Sequence, residues 1–386
     1  MKQKKRWILY SLNFFVFAAI SMVNTQIIPY LGKVGYDVVE RGYILAGSAI
    51  IAIIGQFLFG YLCDRFKRLK PFFLLAYGFM IAGSIMMFII HKQLFYYHLF
   101  AVSLSGGMVK VIMGLNETWM LEVDEENYGR LRAAGALGLT IGSPIAGSVI
   151  HAFGYDFLLF MLIGVSICLL FFFWKSVDAQ KKKSEHVRLE SLKELLTNRL
   201  YLLLVLIYLM IYMIGTADQY VVIDKMLAIG ADTSAVGIKW AVQSFMEVPL
   251  FLFASAILKR VKPGMLLLFG TVMYGLKFFF YGVFSVAWAI IAAASLQLVT
   301  LPIIMLSSKI LIKEITPRKL FSSAQMFAMA IFVGVSGLLT PIITSYLCKR
   351  IGYDMTLYMI AAFTLLPVVL ILWYLHLRKQ VIAKQS

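Results

Sequence analysis

The chain has 386 residues, of which 61% are hydrophobic and 14% are charged, and its formal net charge is +17. Soluble domains carry roughly 25% charged residues, so this composition excludes an ordinary water-soluble globular protein. Apolar stretches of about 18 residues or more are typical of transmembrane helices, because in lipid the backbone must satisfy its own hydrogen bonds. The sequence therefore predicts an all-α membrane protein.

Twelve such apolar stretches follow one another along the chain. The first starts directly after a basic segment and continues to Tyr30 without a small-residue cleavage site, so we interpret it as a membrane span and not as a signal peptide. In chain order, the predicted spans are residues 7–30, 41–62, 72–90, 96–121, 131–150, 157–174, 199–222, 235–258, 264–284, 286–312, 320–346 and 355–377.

The lysine and arginine residues are distributed unevenly between the predicted loops. With both termini placed in the cytoplasm, 27 of them lie on the inner side and 6 on the outer side. This excess follows the positive-inside rule, so the basic charge reflects membrane topology and not a nucleic-acid partner. Three further lysines, Lys110, Lys239 and Lys277, fall within or at the edge of predicted spans.

A polar segment at residues 175–199 divides the chain into two groups of six spans. We therefore predict an N-terminal six-helix bundle over residues 1–175 and a C-terminal six-helix bundle over residues 199–386. A cytoplasmic linker over residues 176–198 would join them.

Three short stretches recur in the same order in both halves. "GYDVVERG" at 35–42 matches "GADTSAVG" at 230–237, "FLFGYLCDRFKRLKP" at 57–71 matches "FLFASAILKRVKP" at 251–263, and "GYDFLLFMLIG" at 154–164 matches "GYDMTLYMIAA" at 352–362. Since each half runs from inside to inside, the repeats are parallel and related by an axis along the membrane normal. Such repeats are typical of transporters, in which the substrate site lies near mid-membrane between the halves.

The loop after the second span carries a motif, "GYLCDRFKRLK" at residues 60–70, that resembles the loop motif of the major facilitator superfamily. Together with twelve spans and two parallel halves, this resemblance covers the whole chain and implies the major facilitator fold. Lys67 stands where the family usually has glycine. The resemblance implies that Asp64 is a gating residue on the cytoplasmic side. The gating-motif residues matched here are Gly60, Asp64, Arg65 and Arg68.

A narrower resemblance links the chain to the oligosaccharide/proton symporters and their nucleoside and aromatic-acid relatives. It is carried by "FLFGYLCDR" at 57–65, "YGRLRAAGALG" at 128–138 and "GTADQYVV" at 215–222. That branch has an acid late in the fourth helix and an arginine at the start of the fifth, and the pair grips substrate hydroxyls. Arg132 matches the arginine. The acid is Glu117 by membrane depth or Glu122 by alignment from the glycine pair at 106–107.

The chain departs from that branch at several positions. Leu139 stands where the sugar-stacking tryptophan would lie, and Gln297 and Thr300 replace a histidine and a coupling glutamate of the tenth helix. The lysine that partners the acid of the seventh helix is missing from its usual place. These departures argue against a galactoside substrate and against that branch's coupling chemistry.

Charged residues inside the predicted spans are the strongest functional signal. A charge at a helix centre costs about 2.5–3.5 kcal/mol or more, so it usually faces a cavity or a partner. Lys110 and Glu117 are about two helical turns apart and share one face of the fourth span, where Asn116 flanks Glu117. We predict that Glu117 and Arg132 bind or gate the substrate; the alternative is an interhelical ion pair. The candidate substrate-binding residues are Glu117, Arg132, Lys110, Asn116 and Glu122.

Two further acids are candidates for proton coupling. Glu247 lies in the middle of the eighth span, two residues before Pro249, where desolvation favours loading and release of a proton. Asp218 in the seventh span is the second candidate, and Lys277 could pair with either acid. The alternative for Glu247 is a structural, hydrogen-bonded acid. Asp224 is expected to face water on the outer side.

The sequence lacks the common catalytic and metal-binding patterns. The three cysteines, Cys63, Cys168 and Cys348, are isolated, and we expect them to be buried and apolar in character. The sequence contains no H-E-x-x-H, G-x-S-x-G or phosphate-loop pattern. We therefore expect no enzyme activity, no metal and no cofactor.

Together these features predict a monomeric secondary transporter in the cytoplasmic membrane. It would move a small hydrophilic metabolite, such as a sugar, an oligosaccharide or a nucleoside, by alternating access and proton symport. Two alternatives stay open. The first is a proton-driven exporter of drugs or amphipathic metabolites, suggested by "GSPIAG" at 142–147, which resembles a motif of drug/proton antiporters. The second is a membrane-embedded receptor or enzyme.

Overall fold

The computed structural model describes residues 3–179, 195–316 and 320–383, and this part of the chain is helical throughout, with short connections and no strand. Most of the predicted linker, residues 180–194, lies outside these ranges. The prediction of an all-α protein is confirmed.

Seven helices make up the chain up to residue 175. They are α1 (Gln3–Asn24), α2 (Ile27–Val34), α3 (Val38–Phe66), α4 (Lys70–Ile89), α5 (Phe95–Asp124), α6 (Tyr128–Phe153) and α7 (Tyr155–Lys175). Helices α1 and α2 together correspond to the first predicted span, and a turn at residues 25–26 separates them.

Eight α-helices follow from residue 199 in the part of the chain that the structure describes. They are α8 (Arg199–Ala228), α9 (Thr233–Arg260), α10 (Pro263–Val283), α11 (Ala287–Ala294), α12 (Leu301–Ile315), α13 (Phe321–Met329), α14 (Ser336–Phe363) and α15 (Leu365–Ala383). A 3-10 turn, Ser295–Val299, joins α11 to α12, and a π-helical turn, Ala330–Val335, joins α13 to α14.

Ten segments of the described chain are long and apolar enough to cross a membrane. One of them, Phe327–Gln380, has 54 residues and is broken at Gly352, whose φ of 80° and ψ of 169° are not helical. A span needs about 20 residues, so this segment is long enough for two crossings. Helix α9 has 28 residues but is not among the ten, and it carries Lys239 and Glu247 in its interior. The count of twelve spans stays a prediction.

A Gly-x-Asp pattern marks four helix connections. Its glycines, Gly35, Gly154, Gly230 and Gly352, have φ values of 107°, 84°, 84° and 80°, the left-handed region that glycine adopts without steric cost. These are the glycines of two of the repeated sequence stretches, so the sequence repeat corresponds to a repeated backbone turn. We call the end of the bundle that carries these four turns the outer end, after the predicted orientation.

The aspartates of this pattern organise the helices that follow. Asp37 caps α3 by accepting hydrogen bonds from the backbone N–H groups of Val39 and Glu40, each at 2.8 Å. Asp232 caps α9 in the same way through the N–H of Ala235 at 2.8 Å. Each cap satisfies donors that the first turn of a helix leaves without partners.

The two halves of the chain meet along two helix pairs, α3 with α14 and α6 with α9. Gly147 lies against the backbone of Thr233, and Gly237 lies against Ser143 and Pro144, so a larger side chain at either glycine would collide with backbone atoms. The hydroxyl of Thr233 donates to the carbonyl oxygen of Gly147 at 2.8 Å. Small residues here let the halves approach closely, as is common between membrane helices.

Hydrophobic side chains are found both inside the bundle and on its surface. Aromatic residues fill the interior of each half, for example Trp119 against Phe73 and Phe173. Many large apolar side chains are exposed, such as Phe160 and Trp174, each at 70%. Such a surface suits contact with lipid tails.

Lys67 ends α3 with a φ of 54°, and it is the one residue other than glycine with a positive φ in the described chain. This conformation costs a side-chain-bearing residue roughly 1–2 kcal/mol. The cost explains physically why glycine is usual at this position of the loop motif.

We predict that Lys67→Gly raises the thermal stability of the protein in detergent. Relief of the left-handed strain outweighs the extra freedom of glycine in the unfolded chain, with a net gain of about 0.5–1 kcal/mol. Lys67→Ala is the matched control, since it removes the same charge and keeps the Cβ atom. The prediction is wrong if the glycine variant melts at or below the temperature of the alanine variant.

Candidate functional site

Asp218 of α8 lies at the centre of a buried group of charges. Its Oδ1 accepts a hydrogen bond from Lys239 Nζ at 2.8 Å, and its Oδ2 accepts from Lys277 Nζ at 2.5 Å. Gln243 Nε2 also donates to Oδ2, at 2.7 Å. Asp218 is 4% exposed and both lysines are 0% exposed, so one carboxylate is shared by two ammonium groups away from water.

A chain of hydrogen bonds connects this group to Glu247. Lys277 Nζ donates to Gln297 Oε1 at 2.7 Å, and Gln297 Nε2 donates to Glu247 Oε1 at 3.0 Å. Thr300 Oγ1 lies 3.3 Å from Gln297 Oε1 and supports the same amide. The two acids that the sequence predicts for proton coupling are therefore joined through one lysine and one glutamine.

Local helix geometry explains how these side chains come together. Lys239, Gln243 and Glu247 follow one another at intervals of four residues, so they share one face of α9. Gln297 lies in the 3-10 turn between α11 and α12, where the regular helix is interrupted before Thr300. Such breaks in membrane helices expose polar groups where they line functional sites.

The geometry bears on two expectations from the sequence. Lys277 is expected to pair with Asp218 or Glu247, and the structure pairs it with Asp218, which Lys239 of α9 also binds. Gln297, a departure from the related branch, bridges Lys277 and Glu247. The sequence did contain a signal for a role of Gln297, because this polar residue lies close to Thr300 and Pro302 in an otherwise apolar span.

The charged residues of the first half lie close to the second half. Tyr128 of α6 donates a hydrogen bond to Glu117 Oε1 of α5 at 3.0 Å. Glu117 is also within electrostatic range of Tyr212 on α8. The guanidinium of Arg132 lies over the ring of Phe17 at 4.7 Å and within electrostatic range of Glu247. Glu117 and Arg132 thus each lie within electrostatic range of a group of the opposite half.

The other predicted substrate-binding residues have different surroundings. Asn116 is 2% exposed, and its Nδ2 donates to Asn13 Oδ1 at 2.5 Å, so its amide joins α5 to α1 within the first half. Glu122 is exposed. Lys110 approaches Gly337 of α14: a Cβ atom on that glycine would lie 3.1 Å from Lys110 Nζ. The structure therefore brings Lys110, Glu117 and Arg132, but not Asn116 or Glu122, against the second half.

The loop motif after α3 lies at the opposite end of the bundle from the Gly-x-Asp turns. Arg65 Nη1 donates to the hydroxyl of Tyr61 at 3.5 Å, Arg68 is exposed and Asp64 is half-buried. A Cβ atom on Gly60 would meet no other atom within 4 Å, so packing does not require glycine there in this conformation.

The outer end is closed by contacts between the two halves. Arg41 Nη1 lies 3.0 Å from Asp224 Oδ1, and both side chains are buried. Lys349 Nζ donates to Asp37 Oδ2 at 3.0 Å. The backbone N–H of Glu40 and the Lys349 ammonium hold the pKa of Asp37 below its usual range, so this ion pair persists at neutral pH.

Two expectations about the outer end are also corrected. Asp224 was expected to face water, but it is 7% exposed because the buried guanidinium of Arg41 compensates its charge. Cys168 was expected to be buried, but it is exposed on α7, a helix with many apolar surface residues; Cys63 and Cys348 are buried. In the described part of the chain, no three histidine, cysteine or acidic residues are grouped as metal ligands.

Comparison with known proteins gives one family and several similar folds. The model of the MFS_1 like family matches residues 6–359. "Uncharacterized transporter YwbF" of Bacillus subtilis (strain 168) is 24% identical over 302 residues, which are 76% of this chain and 73% of that protein.

Solved structures of transporters superimpose on nearly the whole chain. A crystal structure of a mutant of the nucleoside transporter NupG has a TM-score of 0.81 at 12% identity, over 95% of this chain and 99% of that chain. A second NupG crystal structure has a TM-score of 0.77 at 13% identity, over 97% and 99%. A POT family transporter in complex with a thioalcohol conjugated peptide has a TM-score of 0.73 at 10% identity, over 95% of each chain. The chain therefore belongs to the MFS_1 like family and is a multi-pass membrane transporter of the major facilitator type, not an enzyme.

Proposed function

We propose that this transporter imports a small hydrophilic metabolite, such as a sugar, an oligosaccharide or a nucleoside, together with a proton across the cytoplasmic membrane. The observation that carries the proposal is the continuous hydrogen-bonded path from Glu247 through Gln297 and Lys277 to Asp218. Intramembrane acids in such networks are typical of proton relays. The fold shared with NupG, a nucleoside transporter, supports a hydrophilic solute.

The surroundings of the two acids suggest which one exchanges the proton. Asp218 accepts hydrogen bonds from two ammonium groups and one amide, so protonating it would remove two buried ion pairs. Glu247 accepts one hydrogen bond from Gln297 and lies within electrostatic range of Arg132 across the interface between the halves. Glu247 is therefore the better proton carrier, and Asp218 holds the lysines in place.

Alternating access is supported by the contacts at the two ends of the bundle. At the outer end, Arg41–Asp224 and Asp37–Lys349 join the two halves, and the hydroxyls of Tyr43 and Tyr346 lie 2.8 Å apart. At the other end, the ion pairs Arg6–Asp124 at 3.1 Å and Arg378–Glu314 at 2.7 Å each stay within one half. This arrangement suits a conformation that is closed on the outside, which must open for solute to enter.

We predict that Glu247→Gln abolishes solute-driven proton movement. The glutamine keeps the size and the hydrogen bonding of the side chain but cannot exchange a proton. The measurement is the internal pH of proteoliposomes challenged with sugars, nucleosides and aromatic acids. Glu126→Gln is the matched control, since Glu126 is exposed next to α5 and outside the network.

The wild-type result decides between import and export. Inward proton flow with an added solute supports symport. Outward proton flow against loaded cationic dyes would establish the exporter in its place. If Glu247→Gln still couples solute to protons, then Glu247 is structural and Asp218 becomes the next candidate.

We predict that Arg41→Met opens the outer end. Removing one partner of a buried ion pair leaves Asp224 uncompensated and costs the closed conformation about 3–5 kcal/mol. Cys348 is buried in the same crevice as Arg41 and Asp224 and serves as the reporter. The other two cysteines are replaced by serine in both proteins that are compared. A membrane-impermeant maleimide applied from outside should then label Cys348 roughly tenfold faster or more in Arg41→Met than in the protein with Arg41.

The double variant Arg41→Met with Asp224→Asn is the control for this prediction. It removes both charges, so the closed conformation no longer holds an unpaired one and labelling should return toward the wild-type rate. Equal labelling of Cys348 in the wild type and in the single variant would show that this ion pair does not hold the outer end closed.

A further inference from the structure

Lys110 differs from every other buried lysine of the described chain in its surroundings. It lies halfway along α5 (Phe95–Asp124), is half-buried, and directs its Nζ toward Gly337 of α14, where the Cβ of Ala49 on α3 is also close. Its ammonium therefore lies where three helices from both halves meet. Among the side chains that the structure describes, none forms an ion pair or hydrogen bond with it.

The buried lysines of the described chain bind carboxylates, and Lys110 does not. Lys225 pairs with Asp354 at 2.7 Å and donates to the carbonyl oxygens of Tyr281 and Gly282 at 2.6 and 3.0 Å. Lys239 and Lys277 both bind Asp218. Each of these ammonium groups binds a carboxylate, which Lys239 and Lys277 share, as expected for charges held away from water. Lys110 is half-buried and has no carboxylate partner among the described side chains.

The charge balance of the bundle interior leads to the same conclusion. Among the side chains that the structure describes, and apart from the ion pairs at the two ends, those that carry charge there are the cations Lys110, Arg132, Lys239 and Lys277 and the carboxylates Glu117, Asp218 and Glu247. Four cations against three carboxylates leave one positive charge in excess. A proton on Glu247 would increase this excess to two.

We infer that the transported solute carries one negative charge, as a carboxylate, and that Lys110 Nζ binds it at the interface between the halves. This inference rests on the proposed function and narrows its substrate to the acidic members of the hydrophilic metabolites. Gly337 has no side chain, so the ammonium of Lys110 approaches the backbone of α14 closely. Next to Gly337, the hydroxyl of Thr216 donates to that of Ser336 at 3.4 Å, and Ser336 donates to the carbonyl oxygen of Val333 at 3.2 Å.

While Glu247 is ionised, the excess of one positive charge matches a monoanion and not a dianion. One carboxylate brings the interior to zero charge before Glu247 is protonated, whereas a phosphate monoester, with a charge of about −1.5 to −2 at neutral pH, would overcompensate. Co-transport of one proton with one carboxylate moves no net charge. A symporter of this kind is driven by the pH gradient and does not respond to the membrane potential.

The test compares neutral and acidic forms of one scaffold on the full-length protein. The compounds are glucose and gluconate, benzamide and benzoate, and uridine with its 5′-carboxylate and its 5′-monophosphate. Ligand-induced thermal stabilisation is measured for the wild type, Lys110→Met, Lys110→Arg and the control Lys92→Met, which removes an exposed loop charge. We expect a carboxylate to bind the wild type, Lys110→Arg and Lys92→Met, and to bind Lys110→Met about 10- to 100-fold more weakly.

Several outcomes would overturn the inference. Equal binding of the neutral and acidic forms, binding of the monophosphate alone, or no binding of any carboxylate would each do so. Binding that is unchanged in Lys110→Met would remove the role of Lys110. Binding is read without proton flux, so a carboxylate that binds but moves no proton would contradict the proposed symport and leave this inference standing.

The stability of the empty protein provides a second, independent measurement. Removing an uncompensated buried charge should leave Lys110→Met at least as thermostable as the wild type. A large loss of melting temperature would instead show that Lys110 has a structural partner, and this would overturn the inference. Dependence of carboxylate uptake on an imposed potassium diffusion potential would also contradict the one-to-one charge balance.

Discussion

The need to compensate charge away from water organises the interior of this transporter. A single ionised group in the membrane interior costs several kcal/mol, and Asp218 meets this constraint by binding Lys239 and Lys277 at once. This arrangement ties α8, α9 and α10 together and leaves Lys277 free to donate to Gln297 as well. The position of Glu247 at the end of the network depends on it, because Gln297 is oriented by the lysine on one side and binds the glutamate on the other.

At the outer end, the same constraint acts on the buried pair Arg41–Asp224, which joins the two halves, and more exposed pairs surround it. All four aspartates of the Gly-x-Asp turns have a basic partner: Asp37 with Lys349, Asp156 with His91, Asp232 with His151 and Asp354 with Lys225. Two of these contacts cross between the halves and two stay within one. The two aspartates that cap helices, Asp37 and Asp232, are also those whose contacts cross between the halves, so these contacts would separate in the proposed opening of the outer end.

Much of the fold could be predicted from the sequence, because hydropathy over some 20 residues determines where helices lie in a membrane. The repeated sequence stretches also correspond to a repeated backbone turn, in which the glycine has a positive φ at all four positions. Side-chain pairing was harder, since it depends on how helices face one another. Asp218 was separated from Lys239 by 21 residues and from Lys277 by 59, and only the packing of three helices shows that they meet. For the same reason Asp224 was placed in water, although its partner Arg41 lies in the other half of the chain.

Lys110 shows how the hydropathy of the sequence and the packing of the helices together identify a site. The sequence identifies it as a charge in the middle of an apolar span, and the structure shows that α14 presents a glycine to it where a carboxylate would otherwise be expected. A built-in partner would compensate the charge permanently and lock the halves together, as Arg41 and Asp224 do at the outer end. When the solute supplies the carboxylate instead, the charge of Lys110 is compensated only while solute is bound. The energy that binds the solute then also favours the arrangement of α3, α5 and α14 around it, which is the coupling between binding and conformational change that an alternating-access transporter requires.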